Sequence, residues 1–327
     1  MTAPFALEAF SPLEGSPLVV VDLARSDPRP PPGGVRIALD RQGSLPMVDP
    51  SDFDAMVTTC PDAPAPWVWV AAPRLEAQLA VVGAAAAHAP VATSVLAQVL
   101  RLGVTLDVDT ALDVESLAYS TLLGGGEFAR WRAGTAVRTP AESTAPRDLV
   151  RYERTDDAVT LTLASPGNRN AMTAATRDAL WEALANVLDD PTAPQVELRG
   201  EGRCFSTGGD LAEFGTAHDL AQAHVIRTRR SCARLLHRLG PRATARLHGL
   251  CIGSGIEVPA AAARRIAAPD TVVRLPELAM GLIPGAGGTV TLARAIGRHR
   301  LCWLVLGGFK VGAEQALRWG LVHAIEP

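Results

Sequence analysis

The sequence predicts an α/β fold, with a layered α/β domain from residue 148 onward. Three observations carry this reading. Short β-prone runs such as AVTLTLA and PQVELRG alternate with segments of helix length. Turns rich in glycine or proline separate them. The turn–strand–helix unit then recurs through the second half of the chain.

The elements are justified in order. Residues 17–24, PLVVVDLA, read as a buried strand, 26–34 (SDPRPPPGG) as a turn-rich excursion, and 35–39 (VRIAL) as a second strand. WVWV at 67–70 is a third, ended by Pro73; alternation puts Trp67 and Trp69 on one face, against the core or another domain. A helix is expected from Leu75 to Ala87, closed before Pro90. Another runs through SVLAQVLRLG, with Ser94 as cap and Gly103 as stop. Val114, Leu117, Ala118 and Leu122 recur at helical spacing and require a partner surface. Gly124–Gly126 interrupt that helix and EFARW restarts it. The polar, proline-containing stretch 134–147 is the best boundary, dividing a region 1–140 from a region 148–327.

Beyond the boundary, LVRYER and AVTLTLA form a strand pair, and SPGNRNAMT a turn. Thr173 caps a helix whose Leu180, Leu184 and Leu188 share one face. PQVELRG is a strand, GRCFSTGGD a turn, and one helix is expected from about Ala221 to Leu239. Its polar side carries Arg227, Arg229, Arg230, Arg234 and Arg238, either as a solvated face or as a contact for phosphates. Pro241 ends it. VVRLPE is extended; TVTLARAIG, RLCWLVLGG and GAEQALRWG are helices, and LVHAIEP is a terminal extended segment.

Composition narrows the function classes. Hydrophobic content of 48% and charged content of 20% fit a soluble globular enzyme. A net charge of -3 without a basic stripe argues against nucleic acid as partner. Cys60, Cys204, Cys232, Cys251 and Cys302 lack paired spacing and read as reduced thiols of a cytoplasmic protein. No signal peptide is expected, and Arg74, Glu76 and His88 make the run 71–89 too polar for a membrane span. Nucleotide-binding and metal-binding signatures are missing, so neither cofactor nor metal is expected.

The chemistry-bearing stretch is 248–288, HGLCIGSGIEVPAAAARRIAAPDTVVRLPELAMGLIPGAGG. Glu257 follows the turn Gly253–Ser254–Gly255, and Glu277 follows Pro276 twenty positions later. Two carboxylates in different surroundings suit proton transfer by oppositely placed groups. The turns FSTGGD and IGSGIE can expose backbone N–H groups as an oxyanion hole, or they are two ordinary strand-to-helix turns. Glu257 would suit a helix N-terminus on electrostatic grounds alone, and Asp210 suits a turn cap.

These residues carry a resemblance. NRNAMT (168–173), FSTGGDL (205–211), HGLCIGSGIE (248–257), LPELAMGLIPGAGGT (275–289) and LGGFKVGAEQALRWGLV (306–322) resemble, in order, motifs of the enoyl-CoA hydratase/isomerase (crotonase) superfamily. The resemblance implies a spiral of repeated β-β-α units binding an acyl-CoA thioester, with coenzyme A as part of the substrate rather than a cofactor. It implies that the N–H groups of Thr207 and Ser254 hold the thioester oxygen, that Glu257 orients and activates water, and that Glu277 exchanges the α-proton. It implies substrate or coenzyme A contacts at Asn168, Arg169, Asn170, Ala171, Gly208, Asp210 and Gly253. The implied activity is hydration of a 2-enoyl-CoA in fatty acid metabolism; isomerisation, other acyl-CoA chemistry, or a weakly catalytic binding subunit are the alternatives. A homotrimer or dimer of trimers is the implied assembly. Four positions depart from the pattern: Ser254 and Arg274 replace glycines, Ala263 an aspartate, and Pro259 a small residue.

The superfamily core continues past its G-L-V segment into covering helices, whereas this sequence ends at Pro327 soon after GLVHAIE. HAPVATSVLAQVL (88–100) and ALDVESLAYSTLLGGGEFARW (111–131) resemble those trailing helices. Two arrangements are open: residues 74–135 supply the cover from the N-terminal side, or they form an independent helical domain.

Overall fold

The computed structural model describes residues 13, 16–25, 34–135 and 149–327. Most of the turn expected at 26–34 and of the boundary expected at 134–147 lies outside the described residues.

The chain begins with a small parallel sheet in the order β1 (Leu18–Asp22), β2 (Val35–Asp40), β3 (Ala55–Thr58) and β4 (Val68–Trp69). β3 is not marked in the sequence, because AMVT is too short to show a period. Only Val68 and Trp69 are paired in the fourth run, so alternation does not govern it: Trp67 is buried while Trp69 is 43% exposed. Four helices follow: α1 (Ala72–His88), α2 (Pro90–Gly103), α3 (Val108–Leu123) and α4 (Gly126–Gly134). α2 starts at Pro90, where a missing N–H costs nothing, so Ser94 lies inside the helix and is not its cap. Asp107 caps α3 by accepting from the Thr110 N–H at 3.0 Å. The buried face of α3 overlaps only in part with the one its aliphatic residues suggest. Leu122 is buried and Ala118 packs on the core, but Leu117 is 55% exposed, and Ala111, Leu112, Glu115 and Ser116 are the other buried positions. A buried glutamate holds the rotation of this helix.

The second region opens with the antiparallel pair β5 (Val150–Arg154) and β6 (Ala158–Leu163). α5 (Ala174–Asp189) is capped by Thr173, whose hydroxyl accepts from the Thr176 N–H at 3.0 Å. β7 (Gln195–Gly200) leads to the loop 201–219. The helix expected over 221–239 is two: α6 (Leu220–Arg229) and α7 (Cys232–Arg238). Ser231 separates them by capping α7, its hydroxyl accepting from the Arg234 N–H. β8 (Ala243–Leu247), β9 (Leu250–Ile252), the single turn α8 (Ser254–Glu257), β10 (Arg264–Ala267) and β11 (Val272–Arg274) follow. The chain closes with α9 (Gly288–Ile296), α10 (Arg298–Gly307), β12 (Lys310–Gly312), α11 (Ala313–Trp319) and β13 (Ala324–Ile325).

The main sheet has the order β13-β10-β8-β7-β6-β5 and is parallel except at β5. A second sheet, β12-β11-β9, stands beside it. This is the repeated β-β-α topology expected from residue 148 onward. Leu161, Leu163, Leu180, Leu184, Leu198 and Phe205 fill the core. α10 is buried from His299 to Leu306, as a helix apolar on nearly every side must be. It lies between that core and the N-terminal region, packing on α1, α2 and β3. Arg300 donates to the Trp67 carbonyl (3.1 Å), and Asp54, buried at 2% exposure, accepts two bonds from Arg101 (2.8 and 2.6 Å). α3 packs on α6, α7 and α9. Among the described residues no single helix is long and apolar enough to cross a membrane; α1 and α2 satisfy length and composition only as a pair bent by 104°.

Candidate active site

Parallel pairing explains how acids twenty positions apart come together. β9 and β11 run side by side, with Ile252 opposite Arg274, so the residues after both strands emerge at one end. The Gly253 N–H donates to the Arg274 carbonyl (3.0 Å) and fastens the two exits. Ser206 bridges in parallel to Cys251, which brings the turn 207–209 to the same place. Carboxyl ends of parallel strands are where α/β folds gather ligand-binding groups.

Glu257 is 2% exposed. Its Oε2 accepts from the N–H groups of Ala286 (2.7 Å) and Gly288 (3.0 Å), at the start of α9. Burial pushes its pKa up to about 7, against the pull of those amides. Glu277 begins a single 3-10 turn, Glu277–Met280, and is 6% exposed. Burial first, and the Glu257 charge second, raise its pKa well above the usual carboxylate range. Its Oε2 is buried with no hydrogen-bond partner among the described residues. The two carboxyls converge on Gly253. A Cβ there would stand 2.7 Å from Oε1 of Glu277 and 3.8 Å from Oε1 of Glu257, and the residue has φ +51°. Only glycine fits that space and that backbone.

A cavity of about 280 Å³ collects these groups, together with Gly208, Gly209, Ser254, Phe214 and Met280. The Ser254 and Gly209 N–H groups make no hydrogen bond among the described residues. The Ser254 hydroxyl is likewise buried and without a partner. Thr207 lines the cavity, but its N–H donates to the Arg169 carbonyl (3.1 Å), so in this structure it is not the free donor expected. The intervening Gly208 N–H is held by the Ser206 hydroxyl (3.1 Å), and its φ of +85° reverses the chain.

The early turn serves the fold rather than the cavity. Asn168, Arg169, Asn170 and Ala171 do not line it; Met172, Thr173 and Ala174 do. Asn170 is fully buried and committed: its Oδ1 accepts from the Ser165 N–H, and its Nδ2 donates to the carbonyls of Glu201, Cys204 and Phe205. It locks the 201–205 loop, with both polar atoms of its side chain engaged within the fold. Asn168 accepts from the Ala171 N–H. Asp210 caps its own turn through the Ala212 N–H (2.9 Å) and is outside the lining. Arg274 points to the Gly308 carbonyl (2.9 Å), and Pro259 starts a 3-10 turn directly after α8, where it costs no helical bond.

A third carboxyl, unmarked by any motif, joins the site. Glu115 of α3 is 1% exposed and lines the same cavity. Its oxygens accept from the Gly287 N–H (2.6 Å), the Thr289 N–H (2.8 Å) and the Thr289 hydroxyl (2.6 Å). Successive amides of the segment 286–289 are thus shared between Glu257 and Glu115. Burial, then the Glu257 charge, raise the Glu115 pKa to about 8. One turn on, Tyr119 lies against Gly285 with its phenol pKa raised by burial, and the Arg227 guanidinium sits 4.7 Å above its ring. Their partners lie far away in the sequence, so no local pattern marks them.

Residues 153–327 match the family model described as enoyl-CoA hydratase/isomerase, more than half of the chain. Among solved structures, the chain is 30% identical to an enoyl-CoA hydratase from Thermoplasma volcanium, covering 55% of this chain and 72% of that one, with a TM-score of 0.50. It is 28% identical to an enoyl-CoA hydratase from Bacillus anthracis (55% and 70% covered, TM-score 0.50). It is also 28% identical to Pseudomonas aeruginosa DspI (57% and 71% covered, TM-score 0.51). With the ordered motifs, the β-β-α topology and this match together, the chain belongs to the enoyl-CoA hydratase/isomerase family.

Proposed function

We propose that this chain is an enoyl-CoA hydratase, adding water across the C2=C3 bond of a 2-enoyl-CoA. One observation carries the reading: two buried carboxyls in unlike environments converge on Gly253, beside the unengaged N–H of Ser254. In this scheme Glu257, held by two amides, is the ionised base. It orients water and takes its proton as the oxygen bonds to C3. Glu277, whose Oε2 receives no such amide among the described residues, is the neutral acid that delivers a proton to C2. Charge moves onto the thioester oxygen in between. The Ser254 N–H and a second N–H from the turn 207–209, where that of Gly209 is unengaged, stabilise it in the transition state.

Residues 74–135 act in this reading as the cover of the site, which the lining residues Glu115 and Tyr119 support. A second reading is an isomerase, moving a double bond with one carboxyl. It draws on the unpartnered Oε2 of Glu277, which could carry a proton between two carbons. Product analysis with a 2-enoyl-CoA and a 3-enoyl-CoA separates the two. A 3-hydroxyacyl product from the first supports hydration. Conversion of the second without hydration replaces it.

A further inference from the structure

The arginines of α6 and α7 are nearly all spoken for. Arg230 pairs with Glu182 (3.3 Å) and stacks on Trp181, Arg234 pairs with Asp113 (2.5 Å), and Arg238 pairs with Asp109 (2.7 Å). Arg229 is exposed to solvent. Arg227 differs in its partners. Like Arg230 and Arg234 it lines the cavity and is half-buried, but no carboxylate among the described residues lies within ion-pair distance of it. Its Nη1 donates to three neutral oxygens: the Ser116 carbonyl (3.2 Å), the Ser116 hydroxyl (2.9 Å) and the Ser120 hydroxyl (3.0 Å). Nε and Nη2 have no partner among the described residues. Glu115 does not neutralise it by contact, because both of its oxygens are taken by Gly287 and Thr289.

A half-buried cation without a counter-charge favours an anionic ligand that supplies one. The free edge of a guanidinium, Nε with Nη2, matches a carboxylate bidentately. The geometry points to Arg227 as the seat for a carboxylate on the acyl chain, so that the substrate is the mono-thioester of a short dicarboxylic acid. This rests on the acyl-CoA reading of the site. Placement favours an acyl carboxylate over a phosphate of coenzyme A. One tyrosine ring separates Arg227 from Gly285, in the loop that leads into the amides holding Glu257. The phosphates of coenzyme A lie a whole pantetheine arm away from the thioester carbon.

The test is calorimetric titration of the full chain at low salt with two saturated thioesters of equal chain length, glutaryl-CoA and pentanoyl-CoA. The wild type should bind glutaryl-CoA on the order of ten-fold or more tightly, as expected for one charge-assisted bidentate contact. The ratio should fall to about one in Arg227→Gln and be intermediate in Arg227→Lys, which keeps the charge but not the fork. The wild-type preference should persist when both esters are rebuilt on pantetheine alone. A wild-type ratio of one or less overturns the proposal, whether or not any variant folds. So does a ratio that survives Arg227→Gln. Equal weakening of both coenzyme A esters in that variant, absent from the pantetheine esters, reassigns Arg227 to phosphate. Neither probe can be hydrated, so the preference stands or falls separately from hydratase activity. Hydration without preference defeats only the carboxylate seat, and preference without hydration defeats only the hydratase.

Discussion

Glu257 and Glu277 share a cavity but not an environment, and the difference sets a pH dependence. In the proposed hydration Glu257 must be ionised to take a proton, so kcat/KM should rise as pH climbs through about 7. Glu277 must be protonated to give one, so activity should fall again as pH passes its own, strongly raised value. A bell in kcat/KM is expected, and Glu277→Gln should abolish its alkaline limb; a flat profile from pH 5 to 9 would contradict the division of labour. Ser254 gives a second expectation. Its hydroxyl has no partner among the described residues and its N–H is the proposed donor, so Ser254→Ala should keep activity within about 3-fold, while Ser254→Pro should remove it. A severe loss in Ser254→Ala, measured on folded protein, would move the role to the hydroxyl. At this scale the acids and glycine turns were legible, because each announces itself within a few positions. The structural commitment of Asn170 was not legible, because its four side-chain hydrogen bonds, three of them to residues 201–205, are invisible in the string NRNAMT.

Helix α3 shows where periodicity stops being informative. Val114, Leu117, Ala118 and Leu122 suggest an aliphatic face, and Leu122 is buried; yet the helix turns Glu115 and Ser116 inward in place of Leu117, because acceptors for the amides of Gly287 and Thr289 are worth more there than one more leucine contact. The partner stands 172 positions away, beyond any window. Likewise Ser231 breaks α6 from α7 within a run whose residues are all acceptable in a helix. Glu115→Ala leaves buried donors unsatisfied and should cost roughly 2–3 kcal/mol in denaturant unfolding. It should also lower turnover by loosening the amides that hold Glu257. Stability identical to wild type would show that the loop does not depend on α3. The raised carboxyls add a pH effect. Glu115 and Glu257 bind protons more tightly folded than unfolded, so their stabilisation is full below about 4.5 and is lost as pH rises through about 7 and 8. Thermal unfolding temperature should therefore decline from pH 6 to 9.

For the whole molecule, the sequence announced two regions, and its resemblance to covering helices left their relation open between a cover and a separate domain. Parallel strands joined by loops, as in β1–β4, carry no helical crossover to betray them, which is why β3 went unread. α10 joins the regions, with Leu304 and Trp303 buried in the shared core. Asp54 ties the N-terminal side through Arg101, with the Arg298 guanidinium 3.6 Å away. Asp54→Ala would strand those cations and should cost about 3–5 kcal/mol in urea unfolding. A fragment beginning at Asp148 should be insoluble and inactive, since it lacks Glu115 and exposes α10; a soluble, fully active fragment would make residues 74–135 an independent domain.

In the proposed reaction two glutamates divide hydration between water and the α-proton. The most direct measurement follows one 2-enoyl-CoA in deuterated water by mass spectrometry, reading 3-hydroxyacyl product and α-deuterium together. Wild type should show both. Glu277→Gln should lose both by about 10²-fold or more while still binding the ester, and Glu257→Gln should lose hydration more than α-exchange. Hydration at the wild-type rate in both variants, or none in the wild type, would contradict it.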